Sequence, residues 1–259
     1  MLKRLMRRRN WLSKYLDRKC VSMHRNYENF NYNFDQNGEK LLIKRLSKLN
    51  FTCIFDVGAH IGEYSAMLRT YFPEAEIHTF EIIKDNISHI ETRMKDYSHV
   101  HINNFGLSNE DGTVRVKKYG EGSELNSVFN YPHDGNSDWV DCLVKKGDSY
   151  INENQIEKVD FLKIDTEGSE HLILDGLLDT LKKGKIRVIQ LEYGKISIIT
   201  KFLMRDFYQL LNEYGYVVGK LYPKKVEFKD YELDDEDFLG PNFIAVKKNE
   251  TEIIKLLSN

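Results

Sequence analysis

The chain has 259 residues, a length that suits one large domain with a full core and needs no covalent staples. At 41 % hydrophobic and 30 % charged residues it has the composition of a globular protein, which argues against a disordered or fibrous chain. A formal charge of -2, from 38 Lys and Arg against 40 Asp and Glu, gives no support to a nucleic-acid-coating protein, and three scattered cysteines (Cys20, Cys53, Cys142) exclude a disulfide scaffold or Cys-rich zinc site and fit a reducing cytoplasm.

The N-terminal stretch is basic, with Lys3, Arg4, Arg7, Arg8, Arg9, Lys14, Arg18 and Lys19 opposed by Asp17 alone. It has no uninterrupted apolar region or small-residue cleavage site, so it makes a poor secretory signal. The expected structure is a solvated helix packed loosely on the domain. The alternative is peripheral contact with an anionic membrane through Leu2, Leu5, Met6, Trp11, Leu12, Tyr15 and Leu16. Residues 26 to 38 are rich in Asn and aromatics and read as an irregular cap, with Tyr27, Phe30, Tyr32 and Phe34 expected on the core rather than on a sugar face. Residues 1–38 are thus an N-terminal extension and 39–259 the main domain. Helical spacing of Leu41, Leu42, Leu46 and Leu49 opens that domain.

From Phe51 onward, short apolar runs alternate with amphipathic stretches. The pattern predicts strands at 52–57, 76–81, 100–102, 113–116, 139–144, 159–165, 186–192, 216–222 and 242–247, the last two an antiparallel pair. Helices are predicted over 62–72, 83–97, 168–183 and 201–213, and a polar, Gly-rich loop over a site at 118–137. Such alternation implies a mostly parallel sheet covered on both faces, with ligands at the carboxyl ends of its strands. The run Asp234–Asp237 reads as a solvated loop.

Three segments carry chemistry. Phe55-Asp56-Val57-Gly58-Ala59-His60-Ile61-Gly62-Glu63-Tyr64-Ser65 is a strand, a glycine turn and a helix start. Its glycines permit positive φ and close approach of a ligand. The spacing is G-x-x-x-G, where a dinucleotide pyrophosphate would want G-x-G-x-x-G. Glu81 ends the next strand 23 positions after Gly58, where an acid can accept hydrogen bonds from a ribose diol. Further on, Asp165 ends a buried strand containing Lys163, and Glu167 and Glu170 crowd the following turn. Charges this close shift each other's pKa, as a general base requires. Helix capping accounts better for Glu170 than catalysis does. Among the histidines, His60 and His171 fall within these blocks and His133 lies in the polar loop; each is weaker as a base than the carboxylates.

These blocks resemble the FkbM-type methyltransferases, enzymes that use S-adenosylmethionine on the Rossmann-like class I fold. The matching stretches are Phe55 to Ser65, Thr79 to Glu81, Asn104 to Gly112, Asp160 to Gly176 and Val188 to Tyr193, about 140 residues in the expected order. His60 stands where the family commonly has Asn, and the first 40 residues match nothing in the family. The resemblance implies an α/β fold: a mostly parallel seven-stranded sheet with helices on both faces, preceded here by the helical extension. It implies that Asp56, Gly58, Ala59, His60 and Gly62 cradle the methionine part of the cofactor, with Tyr64 and Ser65 near its carboxylate. Glu81 would take the ribose hydroxyls, and Asn104, Gly106 and Leu107 would flank the adenine. Asp165 would sit beside the amino group or sulfonium, and Glu167, assisted by Lys163 or Glu192, would face the acceptor. The implied reaction is O-methylation of a sugar hydroxyl in a glycan or natural product, with no metal and no nucleic-acid partner. The rivals are a nicotinamide-dependent oxidoreductase or epimerase and a non-catalytic binding module.

Overall fold

A computed structural model describes residues 7, 9–120, 122–123, 125–131 and 135–259. Strand β1, Cys53–Val57, is buried at every position. It pairs in parallel with β2, Glu76–Phe80, on one side and with β7, Val159–Ile164, on the other. β3, Val100–Asn103, extends the sheet beyond β2, and β8, Ile186–Glu192, extends it beyond β7, both in parallel. The far edge is antiparallel: β11, Asn242–Lys247, lies between β8 and β9, Tyr216–Leu221, and β10, Val226–Phe228, closes the edge. The order is β10-β9-β11-β8-β7-β1-β2-β3. The short strand β10 makes eight where seven were expected. The chain leaves β1 toward β2 but reaches β7 on its opposite side, so the switch in strand order falls between β1 and β7.

Alternate residues of each strand serve opposite faces. Phe55, Phe80, Leu162 and Ile189 pack on one side. Ile54, Ile77, Phe161 and Val188 pack on the other, against the helices Glu39–Leu46 and Glu63–Tyr71 and the C-terminal helix Thr251–Ser258.

A second sheet has the order β4-β6-β5, from Gly106–Ser108, Ser137–Lys146 and Gly112–Tyr119. It absorbs two strands expected in the main sheet. The helix predicted over 168–183 is two, Glu170–Gly176 and Leu178–Lys182. Gly176 lies so close to β4 that a Cβ there would stand 1.9 Å from the Ser108 carbonyl oxygen. The acidic run is not simply solvated. Glu236 accepts from the Tyr193 hydroxyl and from the backbone N–H groups of Met204 and Arg205, which open the helix Met204–Glu213, and Asp235 and Asp237 pair with Lys229 and Lys220.

The N-terminal helix, Trp11–Tyr27, starts at Asn10, whose side chain accepts from the Ser13 N–H. Ser13 is its one buried residue, so the helix does not rest on the domain along its length. Its far end is fastened instead. Glu28 pairs with Lys220 at 2.7 Å, and Asn29 donates to the carbonyls of Asn37 and Leu221.

Candidate active site

The site begins with a change of polarity along one sheet face. Two residues beyond the apolar row of Ile54, Ile77, Phe161 and Val188, toward the carboxyl ends, the same face carries Thr79, Asp56, Lys163 and Gln190 in register across β2, β1, β7 and β8. A buried polar group is costly unless paired, and here the layer pairs within itself. Ser65 donates to Asp56 at 2.6 Å and lies 3.0 Å from the Thr79 hydroxyl. Tyr64 donates to Gln190 at 2.9 Å, and Gln190 donates to Glu39 and Asn242. Lys163 sits 3.7 Å from Asp56, 3.0 Å from Asp165 and over the Tyr64 ring. Asp56 Oδ1 has no hydrogen-bond donor, so the Lys163 charge is its nearest compensation. Burial would strip Lys163 of its proton, but the charges of Asp165 and Asp56 overcome this and hold its pKa above the ordinary value.

The glycine turn sits directly on this layer. Gly58 has φ +82°, and a Cβ there would lie 1.8 Å from the Asp165 carbonyl oxygen, so only glycine lets the two turns touch. The Asp165 N–H donates to the Val57 carbonyl across the same contact. His60, at φ +52°, donates its backbone N–H to Glu81 Oε2 at 2.8 Å, while its ring contacts the Gly122 carbonyl. Ile83 N–H and Asn86 donate to Glu81 Oε1. Burial outweighs these donors and pushes the Glu81 carboxyl up to about 7.

Past Lys163, three carboxyl groups face each other. Glu192 hydrogen-bonds to Asp165. Burial, then the charges of Asp165 and Glu167, pushes Glu192 well above the usual carboxylate range. Local desolvation acts to raise Asp165, whose side chain is partly exposed, but Lys163 and the hydrogen bond with Glu192 hold it below that range. A proton shared by the pair therefore favours Glu192 over Asp165. Glu167 has φ +53° and its carbonyl accepts from Ser127, which ties the loop after β5 to the turn. Glu170 is buried and accepts from Thr166 N–H, Thr166 Oγ1 and Gly168 N–H, a turn-closing role.

A cavity of about 570 Å³ opens at the carboxyl ends of β1, β2, β7 and β8, within the range for small-molecule sites. Of the residues proposed from sequence, Gly58, Ala59, His60, Tyr64, Glu81, Gly106, Leu107, Lys163, Asp165, Glu167 and Glu192 line it. Four do not. Asp56 and Ser65 are fully buried beneath it, each spent on the other, so Ser65 is not available to a ligand carboxylate. Gly62 starts the helix Glu63–Tyr71 against Ile90, and Asn104 donates to the Glu81 carbonyl from behind. His171 stacks on Phe202 at 5.1 Å and does not line the cavity; His133 lies outside the described residues. The polar loop does cover the cavity, through Ser123, Asn126, Ser127 and Phe129, and Val114 and Val116 of β5 form one wall.

Among the lining residues that sequence reasoning did not place at the site are Tyr32, Phe34 and Glu39. Tyr32 and Phe34 enter from the N-terminal extension, where they were expected on the core, and Glu39 stands at the base of its helix. Tyr32 is 63 % exposed overall but sets its phenol among the carboxylates, where local desolvation and the charges of Glu192, Glu167 and Asp165 push it above its ordinary pKa and keep it a donor. The signal for Glu39 was Gln190, a lone polar residue in the run Val188-Ile189-Gln190-Leu191 that had to find a partner.

The fold and the site together define a class: a Rossmann-like α/β domain with its ligand cavity at the strand-order switch. Residues 56–218 match the family described as the methyltransferase FkbM domain, and the chain belongs to that family. Its cofactor is S-adenosylmethionine, and the donor set fits that molecule: Glu81 can accept from hydroxyls, Ile82 and Leu107 offer apolar walls, and ionised Asp165 suits a positive centre. No curated protein matches the sequence. Among solved structures, the chain is similar to the plantazolicin methyltransferase BpumL in complex with a monoazolic desmethylPZN analog and SAH (13 % identity, 95 % of this chain and 97 % of that one, TM-score 0.44). It is also similar to precorrin-6y C5,15-methyltransferase from Geobacter metallireducens GS-15 (13 % identity, 80 % and 86 %, TM-score 0.43). A third is Aeropyrum pernix fibrillarin with natively bound S-adenosyl-L-methionine (12 % identity, 80 % and 74 %, TM-score 0.41). The family assignment rests on the match over residues 56–218.

Proposed function

We propose that this methyltransferase methylates a hydroxyl group of a sugar, in a glycan or a related natural product. The observation that carries this reading is the acceptor end of the cavity, where the Asp165–Glu192 pair and Glu167 stand beside the rings of Tyr32 and Phe34. Aromatic rings suit the apolar face of a sugar, and the carboxyl groups suit its hydroxyls.

When bound, S-adenosylmethionine supplies an activated methyl group. Glu81 would accept from its ribose hydroxyls, the Gly58–His60 turn would back its methionine part, and Ile82 and Leu107 would enclose its base. The chain's remaining task is to align the acceptor and exclude water, and alignment is worth about 7–11 kcal/mol. A hydroxyl must also begin to lose its proton. Asp165 is a poor base because Lys163 holds its pKa down, so its charge serves to position the positive donor. Glu167 takes the acceptor proton, a contribution of about 10²–10⁴-fold. Glu192 stays neutral and keeps Asp165 from turning away.

The test is methyl transfer from tritiated S-adenosylmethionine to a panel of glycans and hydroxylated small molecules, with the product atom located by mass spectrometry. Transfer to nitrogen or carbon with none to oxygen would overturn the reading.

A further inference from the structure

The helix Trp11–Tyr27 presents an unusual combination. It is fastened at its C-terminal end by Glu28 and Asn29, yet Trp11, Tyr15, Met23 and Tyr27 are exposed, Trp11 at 79 % and Tyr27 at 77 %. A lone helix of this length is marginal in water and draws its stability from a surface that covers its apolar stripe. Leu12, Leu16, Cys20, Met23 and Tyr27 recur every three or four residues and so form such a stripe. Lys14, Arg18 and Arg25 form a basic row on the opposite face of the helix, with Trp11 and Tyr15 between the two rows on one side. Asp17 points to the side opposite Tyr15 and Lys19.

Charge identifies what covers this stripe. Residues 1–27 hold nine Lys and Arg against Asp17 alone, a net +8, so the other 232 residues carry -10 of the chain's total of -2. The near-neutral whole is therefore a basic arm on an acidic domain. Nucleic acid would neutralise the basic face but leave Met23 and Tyr27 in water. An anionic bilayer surface accounts for both faces: the acyl boundary takes the stripe, the basic polar face stays in the headgroup layer among the lipid phosphates, and the Trp11 and Tyr15 rings lie at the level between them. Among the described residues no helix is long and apolar enough to cross a membrane, so the helix would lie in the interface plane.

We propose that the helix Trp11–Tyr27 docks this enzyme on an anionic membrane surface. The helix runs straight into the segment that carries Tyr32 and Phe34, so docking holds that wall of the cavity near the lipid headgroups. Such placement favours acceptors presented at a membrane over those free in solution.

The experiment is co-sedimentation of the full chain with vesicles of phosphatidylcholine alone and with added phosphatidylglycerol, at low and high salt. Binding only to the anionic vesicles, weakened by salt, is expected. Each basic residue near such a surface is worth about fivefold, so the triple variant K14A/R18A/R25A should lower partitioning on the order of 100-fold. A second variant, L16S/M23S, should also weaken binding while leaving all basic charges in place. Both variants should keep wild-type cofactor affinity by calorimetry, which shows that the domain is folded. No preference for anionic vesicles overturns the proposal. Vesicle binding unaffected by L16S/M23S overturns it too, because the stripe would then not enter the interface. A lipid-free dimer that dissociates in L16S/M23S overturns it as well, since a second copy would then cover the stripe.

Discussion

Glu192, the last residue of β8, shares a hydrogen bond with Asp165, the residue after β7, while Lys163 lies 3.0 Å from Asp165. The two carboxyls differ because Lys163 reaches only Asp165, whereas burial and the charges of Asp165 and Glu167 act on Glu192. Raised above its unfolded pKa, Glu192 contributes stability at acid pH that is lost as pH rises through its folded value. The charge that then appears faces Asp165 and breaks the hydrogen bond. Glu192→Gln keeps a donor that cannot ionise, so turnover near neutral pH should stay within a few-fold and the alkaline loss of activity should vanish. Glu192→Ala should cost roughly 1.5–3 kcal/mol of stability or transition-state binding. Paired pH–rate profiles check this; an unchanged alkaline limb in Glu192→Gln would sink it.

The carboxylates of the turn should separate by role. Glu167→Gln should lower kcat by about 10²–10⁴ with cofactor affinity intact, and should flatten the acid limb of the profile. Asp165→Asn should weaken cofactor affinity as well as turnover. It should also reduce stability by about 1.5–3 kcal/mol, since Lys163 is left with Asp56 alone at 3.7 Å. Glu170→Ala removes an acceptor used by three donors, so its loss should appear in thermal stability rather than in kcat. Calorimetry, melting curves and steady-state kinetics on the three variants read the pattern.

Glu81 gives the cofactor a pH dependence. Its carboxyl titrates at about 7, and hydroxyl donors prefer its ionised form. Affinity for S-adenosylmethionine should therefore rise with pH through about 7 and level off above it. Glu81→Gln should bind more weakly and lose that dependence; Glu81→Ala should lose roughly 1.5–3 kcal/mol. Isothermal titration between pH 6 and 8 decides. Raised in the folded state, this group contributes stability that is full at acid pH and declines as pH rises through about 7.

How far the sequence revealed this arrangement depends on what each part needed. β1, β7 and β8 announce themselves because strands covered on both faces are nearly continuous apolar runs. β5 and β6 were legible as strands but not as a separate sheet, because the third member, β4, has only three residues and nothing in the spacing says which strands pair. Asp165 and Glu81 were legible because each ends a strand. The network of Glu39, Gln190 and Tyr64 was not, because Glu39 and Gln190 lie 151 positions apart and only the sheet register joins them. Tyr32 and Phe34 sit in a segment with no periodicity, so nothing in their spacing pointed into the cavity.

The two glycines of the first turn should respond differently to alanine. At Gly58 a Cβ meets the backbone carbonyl of Asp165, which cannot move without breaking the contact between the two turns. Gly58→Ala should abolish cofactor binding or prevent folding. At Gly62 the added Cβ meets the Ile90 side chain at 3.3 Å, which can yield, so the cost is mainly the left-handed backbone at φ +81°, about 1 kcal/mol. Soluble yield and cofactor affinity of the two variants test the ranking; equal behaviour would contradict it.

The N-terminal extension should divide at the end of its helix. Residues up to 19 bury only Ser13 among those described, so a chain starting at residue 20 should bind S-adenosylmethionine as the full chain does and melt within about 1 °C of it. A chain starting at residue 39 loses much more. It lacks Asn29, whose side-chain amide bridges the carbonyls of Asn37 and Leu221, and it lacks Asn37, which donates to Glu39 at 2.6 Å. Glu39 would then stand in the polar layer with only Gln190, and burial already disfavours its charge. Loss of these buried hydrogen bonds should cost roughly 2–4 kcal/mol, and loss of Tyr32 and Phe34 should open one side of the cavity. The shorter chain should therefore melt several degrees lower and lose methyl transfer more severely than cofactor binding. Melting curves, calorimetry and turnover on both truncations check this. If the chain starting at residue 39 kept full turnover, the extension would have no part in the acceptor site.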